Sequence, residues 1–218
     1  MKYRFMSIVL VTFLLSNCSI YKNATSQEKT SYKGKVFLFS EKSIWKSDDI
    51  ILEKCRKYES VDHCILKSIK KTGGTIEALQ AAQYLEKHWE PGYVYSYQKA
   101  YSIGIVGVEY PLRANTNTGY LLIPTTGKPV DVDNISLDIY GSVLWKDFAK
   151  KHRGIFLVNS DKMVRKEKTD MAITLTFSYP VRECRGCDNL GVVDIDYKFN
   201  IGGTFIGRDI SRIQYNKR

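Results

Sequence analysis

The sequence predicts an α+β fold in which about three N-terminal helices pack on an antiparallel β-sheet that ends in a three-stranded meander. Apolar residues recur at helical spacing between Ser47 and His88. Apolar and polar residues alternate after Tyr93, and again between Ile173 and Ile213, as they do in strands with one buried face. Roughly 180 residues follow Lys35, which is enough for one domain with a substantial core.

The segment from Ser47 to His88 divides into three short helices. Ser47 and the acidic residues after it supply a cap and a negatively charged first turn for the first helix. Gly73–Gly74 ends the second helix, and Thr75 begins the third. The apolar positions that define the three helices are Ile51, Leu52, Cys55, Val61, Ile65, Leu66, Ile69, Ile76, Leu79, Ala82 and Leu85.

Extended segments follow the turn at Glu90–Pro91–Gly92. The segments 93–98, 103–110 and 120–123 are rich in Tyr, Val and Ile and predict a β-meander. Leu137–His152 then predicts a fourth helix, weakened by Gly141, and Ile155–Val158 predicts a short strand. In the fourth helix we expect Ile139, Val143, Leu144 and Phe148 to face inward and Lys146, Lys150 and Lys151 to face outward.

The C-terminal part carries the clearest pattern in the chain. Ile173–Val181, Val193–Phe199 and Thr204–Ile213 predict three antiparallel strands, each with one core face and one solvated face. Asn200 with Gly202–Gly203 predicts the turn between the last two strands. These strands form the meander that closes the predicted domain, residues 36–218.

The first residues have the pattern of an export signal. Lys2 and Arg4 precede an apolar run from Met6 to Leu15 that is too short to span a bilayer. The sequence Leu15-Ser16-Asn17-Cys18 resembles the lipobox of bacterial lipoprotein precursors, although Asn17 departs from the small residue usual before the cysteine. The resemblance implies cleavage after residue 17 and lipidation of Cys18. A cleaved signal peptide with an incidental cysteine is the alternative.

Residues 18–35 are polar and predict a flexible tether between a membrane anchor and the domain. The whole chain carries a net charge of +10, and removal of Lys2 and Arg4 with the leader lowers it to +8. Such a charge favours anionic envelope glycans, acidic lipid headgroups or acidic proteins as partners. Nucleic acid suits the charge but not the export signal. We therefore expect a cell-envelope location on the periplasmic or outer face, or secretion if Cys18 is not acylated.

Four cysteines remain besides Cys18. An oxidising compartment favours two disulfides, and we expect Cys55 to pair with Cys64 and Cys184 with Cys187, although sequence alone permits three connectivities. The C-x-x-C motif could instead be a redox pair, with Arg182 and Arg185 lowering a thiol pKa. The same two arginines could also bind an anionic partner. A zinc site made from the four cysteines is a further alternative, but the spacing of Cys55 and Cys64 is wider than in usual zinc half-sites.

Other candidate residues have competing structural explanations. Glu109 lies in an apolar strand and could be a general acid or could face solvent. The aromatic residues between positions 89 and 101 could stack on sugar rings or could be half-buried strand residues. They are Trp89, Tyr93, Tyr95, Tyr97 and Tyr101.

Metal and cofactor motifs are not evident in the sequence. His63, His88 and His152 occupy unrelated predicted helices, so we expect no metal site from them. Asp131, Asp133 and Asp138 lack the spacing of a calcium loop and predict a solvated acidic loop. We expect no cofactor.

The segment Pro180–Cys187, followed by Gly191 and the hairpin Asp196–Gly202, resembles the C-terminal part of uncharacterised exported bacterial proteins that carry a C-x-x-C loop before a final hairpin. This resemblance implies no activity.

Three functional hypotheses follow from the sequence. The first is a non-catalytic envelope protein, anchored at Cys18, that binds an anionic macromolecular or glycan partner. The second is a thiol-disulfide protein that works through Cys184 and Cys187. The third is an inhibitor of a host defence enzyme such as a lysozyme, which charge repulsion disfavours because those enzymes are generally basic.

Overall fold

Five α-helices, one short 3-10 helix (Glu41–Ser43) and nine strands form the regular structure of the part of the chain that the computed structural model describes, residues 39–216 except 48, 58–62, 115–116, 136 and 161. Phe37–Arg218 forms one compact unit. The predicted leader, Cys18 and the predicted tether lie outside the described residues. Within the described part, no helix combines the length and the apolar character needed to cross a bilayer.

Three helices precede the first strand: α1 Asp49–Lys57, α2 Cys64–Lys71 and α3 Ile76–His88. Thr75 caps α3, because its side-chain oxygen accepts a hydrogen bond from the Ala78 N–H at 3.0 Å. The three predicted N-terminal helices are thus confirmed. The bend between the first two helices lies outside the described residues.

The first sheet is an antiparallel meander of four strands: β1 Tyr93–Ala100, β2 Ile103–Glu109, β3 Thr118–Ile123 and β4 Val130–Asp131. The predicted meander is confirmed, and the short β4 extends it. Almost every residue of β2 is buried, because the helices cover one face of this sheet and a second sheet covers the other.

The second sheet follows two short helices, α4 Leu137–Gly141 and α5 Val143–Lys151. Its strands are β5 Phe156–Leu157, β6 Lys162–Lys168, β7 Ala172–Arg182, β8 Gly191–Asn200 and β9 Phe205–Tyr215. The predicted three-stranded C-terminal meander is confirmed as β7, β8 and β9. Strands β5 and β6 both pair with the other edge of β7.

The domain therefore has three layers, with the largest apolar cluster between the two sheets. Ile105 and Leu122 of the first sheet belong to this cluster, together with Leu175, Phe177 and Ile195 of the second. All five side chains are buried, and each contributes about 1.5–3 kcal/mol by leaving water. Two further clusters join the helices to the opposite face of the first sheet and its surroundings.

The prediction of one continuous fourth helix is wrong. It ends at Gly141 and begins again at Val143, where the Ser142 side-chain oxygen accepts a hydrogen bond from the Trp145 N–H at 3.2 Å. The new start changes which residues face the core. Val143 and Leu144, expected inside, are 74% and 56% exposed, whereas Trp145 is buried.

The solvated face expected for the C-terminal strands is also partly wrong. Thr176, Ser178, Asp194 and Asp196 point away from the apolar core, yet all four are buried. Long side chains from the neighbouring strands contribute to the burial of the two aspartates. Arg165 of β6 donates to Asp196 at 3.3 Å, and Arg212 of β9 donates to Asp194 at 2.7 Å. A row of ion pairs and hydrogen bonds thus covers the outer face of the sheet.

Candidate binding surface at one end of the second sheet

One end of the second sheet brings together segments that are distant in sequence. Phe156 of β5 pairs with Arg182 at the end of β7. Gly191, which begins β8, pairs with both Val181 of β7 and Tyr215 of β9. The C-x-x-C loop between β7 and β8 therefore lies at the same end as the last residues of β9.

Aromatic contacts fix α5 to this end. The ring of His152, just after α5, lies 4.0 Å from the ring of Tyr215. Phe148 contacts Tyr215 at 5.8 Å between centroids and Trp145 at 6.0 Å. Trp145 in turn contacts Tyr140 of α4 at 5.4 Å. Stacking of this kind holds α5 in one orientation on the sheet.

Basic side chains cluster around this helix and the adjacent loop. We call this surface the basic end; its residues are Lys146, Lys150, Lys151, Arg153, Arg182 and Arg185. All but Arg182 are exposed. The acidic residues of the same segments are Asp147, Glu183 and Asp188. Positive charge therefore exceeds negative charge across the basic end.

An open groove of about 480 Å³ lies along α5. Tyr140, Trp145 and Ala149 provide its apolar lining, and Lys146, Lys150 and Arg153 provide its charged lining. Trp145 is buried and Tyr140 is partly buried, so the cations are the groups of the groove that a ligand reaches most readily. This lining suits a negatively charged ligand.

Few acidic side chains of the domain pair with the cations of the groove. Lys150 lies 3.6 Å from Asp147, an exposed i,i+3 pair worth at most about 1 kcal/mol. Among the described residues, no carboxylate lies within ion-pair distance of Lys146, Lys151 or Arg153. These side chains are therefore free to contact an external anion.

The C-x-x-C loop is closed by a disulfide between Cys184 and Cys187. The Arg182 guanidinium donates to Asn189 Oδ1 at 2.7 Å and to the Arg185 carbonyl at 3.0 Å, so it braces the loop. Arg185 itself is exposed, and so is Cys184. No helix follows Cys187 in the structure: the chain runs directly into β8.

The second disulfide joins Cys55 of α1 to Cys64 of α2, as predicted. Its Cys55 sulfur lies in a fully buried residue beside Ser68. Because the four cysteines form two separate disulfides, they do not converge on one zinc site. Among the described residues, no three His, Cys, Asp or Glu side chains are arranged to hold a metal ion.

Four of the five aromatic residues singled out by sequence belong to the packing of the first sheet, and the fifth, Tyr101, is exposed in the turn between β1 and β2. Tyr93 is only 2% exposed, and its hydroxyl donates to Glu109 Oε2 at 2.6 Å. Trp89 and Tyr97 pack against the cluster beneath α3. Tyr95 lies over Gly107, and burial raises the pKa of its hydroxyl to about 12. The structure therefore does not present these side chains as one exposed platform, and Glu109 has a structural partner.

Asp131 and Asp133 are partly buried where the sequence predicts a solvated acidic loop, so that prediction is corrected for these two residues, whereas Asp138 is exposed. Burial raises the pKa of both carboxyl groups, and the charge of Asp131 raises that of Asp133 further, to about 7. The Asp133 Oδ1 atom is buried and accepts no hydrogen bond from the described residues. Nearby, the guanidinium of Arg113 stacks 3.9 Å above the Tyr110 ring and pairs with Glu90 at 2.8 Å.

No protein-family model, no curated protein and no solved structure matches this chain. The functional interpretation therefore depends on the geometry of the basic end and on the sequence.

Proposed function

We propose that this chain is an exported bacterial envelope protein, lipid-anchored at Cys18, whose domain is a non-catalytic module that binds an anionic macromolecule or glycan through the basic end. The leader and the lipobox-like sequence support the anchor. The observation that carries the binding proposal is the open groove along α5, where Lys146, Lys150 and Arg153 lie beside Tyr140 and Trp145.

The shape and charge of the groove favour a polymer over a small molecule. Small-molecule sites are usually enclosed and mostly apolar, whereas this groove is open along its length and lined by three cations. A polymer with phosphate groups along its backbone would place several phosphates against the three cations at once. Its binding would weaken with added salt, because exposed charges are screened.

Charge reversal in the groove tests this proposal. The triple variant Lys146→Glu, Lys150→Glu, Arg153→Glu is compared with Lys67→Glu, Lys70→Glu, Lys71→Glu on α2, which changes the net charge equally at exposed positions. Binding to poly(glycerol phosphate) is measured by calorimetry, with neutral dextran as the uncharged comparison. We expect the groove variant to bind at least about tenfold more weakly and the α2 variant to bind almost as the wild type.

Equal weakening by both triple variants would show that net charge, and not the groove, attracts the polymer. Equal binding of dextran and poly(glycerol phosphate) would exclude an anionic partner.

The anchor is tested separately by mass spectrometry of the intact protein purified from membranes of its native host. The expected product begins at Cys18, carries acyl chains and contains two disulfides. A chain that retains its leader, or a cytoplasmic chain with free thiols, would contradict the proposed location.

A thiol-disulfide function is the second candidate. It is favoured by one observation, the exposure of Cys184 in a loop that a reductant or a partner thiol can reach. Differential reduction of the two disulfides, described in the Discussion, distinguishes a working dithiol from a structural cross-link.

A further inference from the structure

Three turns lie together at the end of the second sheet opposite the basic end. Ala172, after the β6–β7 turn, pairs with Asn200, before the β8–β9 turn. The Lys168 ammonium lies 5.9 Å from the centre of the Tyr101 ring in the β1–β2 turn. The Thr125 N–H donates to the Gly203 carbonyl at 2.9 Å, which joins the segment after β3 to the β8–β9 turn.

Each of the three turns exposes a large apolar side chain. Tyr101 is 45% exposed, Met171 84% and Ile201 49%. Ile206, near the start of β9, is 61% exposed. We call these four residues the apolar tip. They are four of the ten large apolar side chains exposed in the described part of the chain, so exposed apolar surface is concentrated here.

The backbone conformation of Tyr101 is one that is unfavourable for a tyrosine. Its φ of 57° lies in the left-handed region, which favours glycine or asparagine in a two-residue turn. The aromatic ring is nearly half exposed and gains little from burial in the domain. Strained residues that the fold does not require are often found where a protein meets a partner.

We propose that the apolar tip inserts into the headgroup region of a lipid bilayer, the membrane to which the proposed lipid anchor attaches. Tyr and aliphatic side chains suit this region because they pair apolar surface with a polar atom or with nearby cations. The cations are present: Lys99, Lys128 and Lys168 are exposed in or next to the segments that form the turns. The exposed acids nearby are Asp170 in the β6–β7 turn and Glu167, which pairs with Arg165 at 3.4 Å. An anionic bilayer would satisfy both the apolar surface and the positive charge.

The length of the preceding chain permits this contact. Cys18 and Phe39 are 21 residues apart, a span of at most about 70 Å when extended. Strand β9 has 11 residues and is about 36 Å long. An anchored chain of this length can therefore place the tip on the bilayer that holds its lipid.

This contact would set the orientation of the domain and so deepens the proposed function. With the apolar tip on the bilayer, the basic end would lie on the far side of the domain, roughly one strand length, about 36 Å, from the bilayer. The groove along α5 would then be presented to polymers outside the membrane surface.

Vesicle binding tests the proposal without the lipid anchor. The chain from Ser19 to Arg218 retains the whole compact unit. It is sedimented with vesicles of phosphatidylethanolamine containing about a quarter phosphatidylglycerol. The tip variant is Met171→Glu, Ile201→Glu. The control is Ile76→Glu, Val143→Glu, which changes charge equally at exposed apolar positions elsewhere, and circular dichroism checks that each variant is folded.

We expect the tip variant to lose at least about tenfold in vesicle affinity and the control to bind as the wild type. The wild-type chain should bind more strongly to these vesicles than to phosphatidylcholine alone. Absence of wild-type binding, or equal binding by the tip variant, would overturn the proposal.

Methionine oxidation gives a second measurement that does not depend on the folding of a variant. Peroxide converts an exposed methionine into the polar sulfoxide. Vesicles should slow the oxidation of Met171 relative to the less exposed Met163, which serves as the internal reference, as measured by peptide mass spectrometry. Oxidation of Met171 at the same rate with and without vesicles would contradict insertion.

The two proposals fail in distinguishable ways. The groove variant used above should lose binding to poly(glycerol phosphate) and keep vesicle binding, whereas the tip variant should do the reverse. Loss of vesicle binding in the groove variant alone would assign membrane contact to the basic end and overturn the role of the tip.

Discussion

The carboxyl group of Asp133 has little room, and the backbone hydrogen bonds from Tyr120 and Ser160 and the charge of Arg113 do not offset the cost of its burial. Its Oδ2 atom occupies the space that a side chain at position 119 would fill, which only glycine leaves open. Its Oδ1 atom is buried without a hydrogen bond from the described residues, and Asp131 adds negative charge nearby. The protonated form of Asp133 is therefore favoured in the folded domain.

This carboxyl group should make stability depend on pH. The pKa of Asp133 is about 7 in the folded state, against about 3.9 for an unfolded aspartate. Between these values the folded chain holds a proton that the unfolded chain releases, so stability falls as the pH rises from about 4 to about 7. We expect the free energy of unfolding of Asp133→Asn to fall by roughly 2–4 kcal/mol less than that of the wild type over this pH range.

Urea unfolding at about pH 5 and about pH 8 measures the effect. The variant should lose less stability than the wild type between the two conditions. Asp170→Asn, at an exposed position of the β6–β7 turn, controls for the loss of one acidic residue. A wild-type domain that is more stable at the higher pH would contradict the assignment.

The sequence could not identify Asp133 as buried. Asp131 and Asp133 alternate with Val130 and Val132, and this local pattern predicts that the two aspartates face solvent. Burial arises because the segment after β4 packs against Gly119 and Tyr120 of β3. Such contacts between distant segments leave no local periodicity to detect.

Among the elements, the two disulfides have different environments. Cys55–Cys64 joins two helices around a buried sulfur, whereas Cys184–Cys187 closes an exposed loop between two strands. In the chain-entropy account, the first stabilises the domain by about 2.7 kcal/mol and the second by about 1.9 kcal/mol, because the first closes a longer loop.

We expect mild reductant to open Cys184–Cys187 before Cys55–Cys64, because Cys184 is exposed whereas Cys55 is fully buried and Cys64 is partly buried. Stepwise reduction with dithiothreitol, alkylation and peptide mass spectrometry measure this order. Reduction of both bonds at the same concentration would contradict it.

The potential at which Cys184–Cys187 opens separates the functional candidates. Reduction near the potential of cellular dithiol enzymes, about −270 to −120 mV, would favour a redox role. Reduction only below about −300 mV is typical of a structural disulfide.

Physical reasons explain why hydrophobic periodicity failed to predict two elements, the break before α5 and strand β6. The break before α5 resets the helical phase, and the local signal was available as Gly141–Ser142, a helix stop followed by a capping residue. Strand β6 has hardly any apolar alternation, since five of its seven residues are charged. Its pairing with β7 determines its conformation, and hydrophobic pattern alone does not reveal it.

In the whole molecule, one carbonyl group links the two sheets. The Tyr179 hydroxyl donates to the carbonyl oxygen of Val132, just after β4, at 2.7 Å. The Tyr197 hydroxyl lies 2.6 Å from the Tyr179 oxygen and 3.1 Å from the same carbonyl. Arg208 extends the network by binding Asp138 through two nitrogen atoms, at 3.0 and 3.2 Å.

Removal of both hydroxyl groups should weaken the connection between the sheets. We expect Tyr179→Phe and Tyr197→Phe each to reduce the free energy of unfolding by about 1–2 kcal/mol. The double variant should lose more than the sum, because the buried Val132 carbonyl then has neither donor. Urea unfolding measures the changes, with Tyr215→Phe as an exposed control. A double variant no less stable than either single one would contradict this role.

The sequence predicted the fold class because the class depends on local periodicity, which α3, β7 and β8 carry strongly. The division into two sheets depends on pairings between distant strands. One sequence signal did point to it: the continuous apolar run in β2 is typical of a strand covered on both faces. Within the basic end, Arg182 and Arg185 flank the C-x-x-C motif in the sequence, whereas the α5 residues come close to this loop only through packing.

Strand β6 also bears on how copies of the domain associate at high concentration. Its outer edge has no partner strand in the described part of the domain, and unpaired edges invite other chains to add to a sheet. Lys162, Arg165, Lys166, Glu167 and Lys168 place charges along this edge. Addition of a second copy would bring like charges together, so the domain resists edge-to-edge aggregation at high local density.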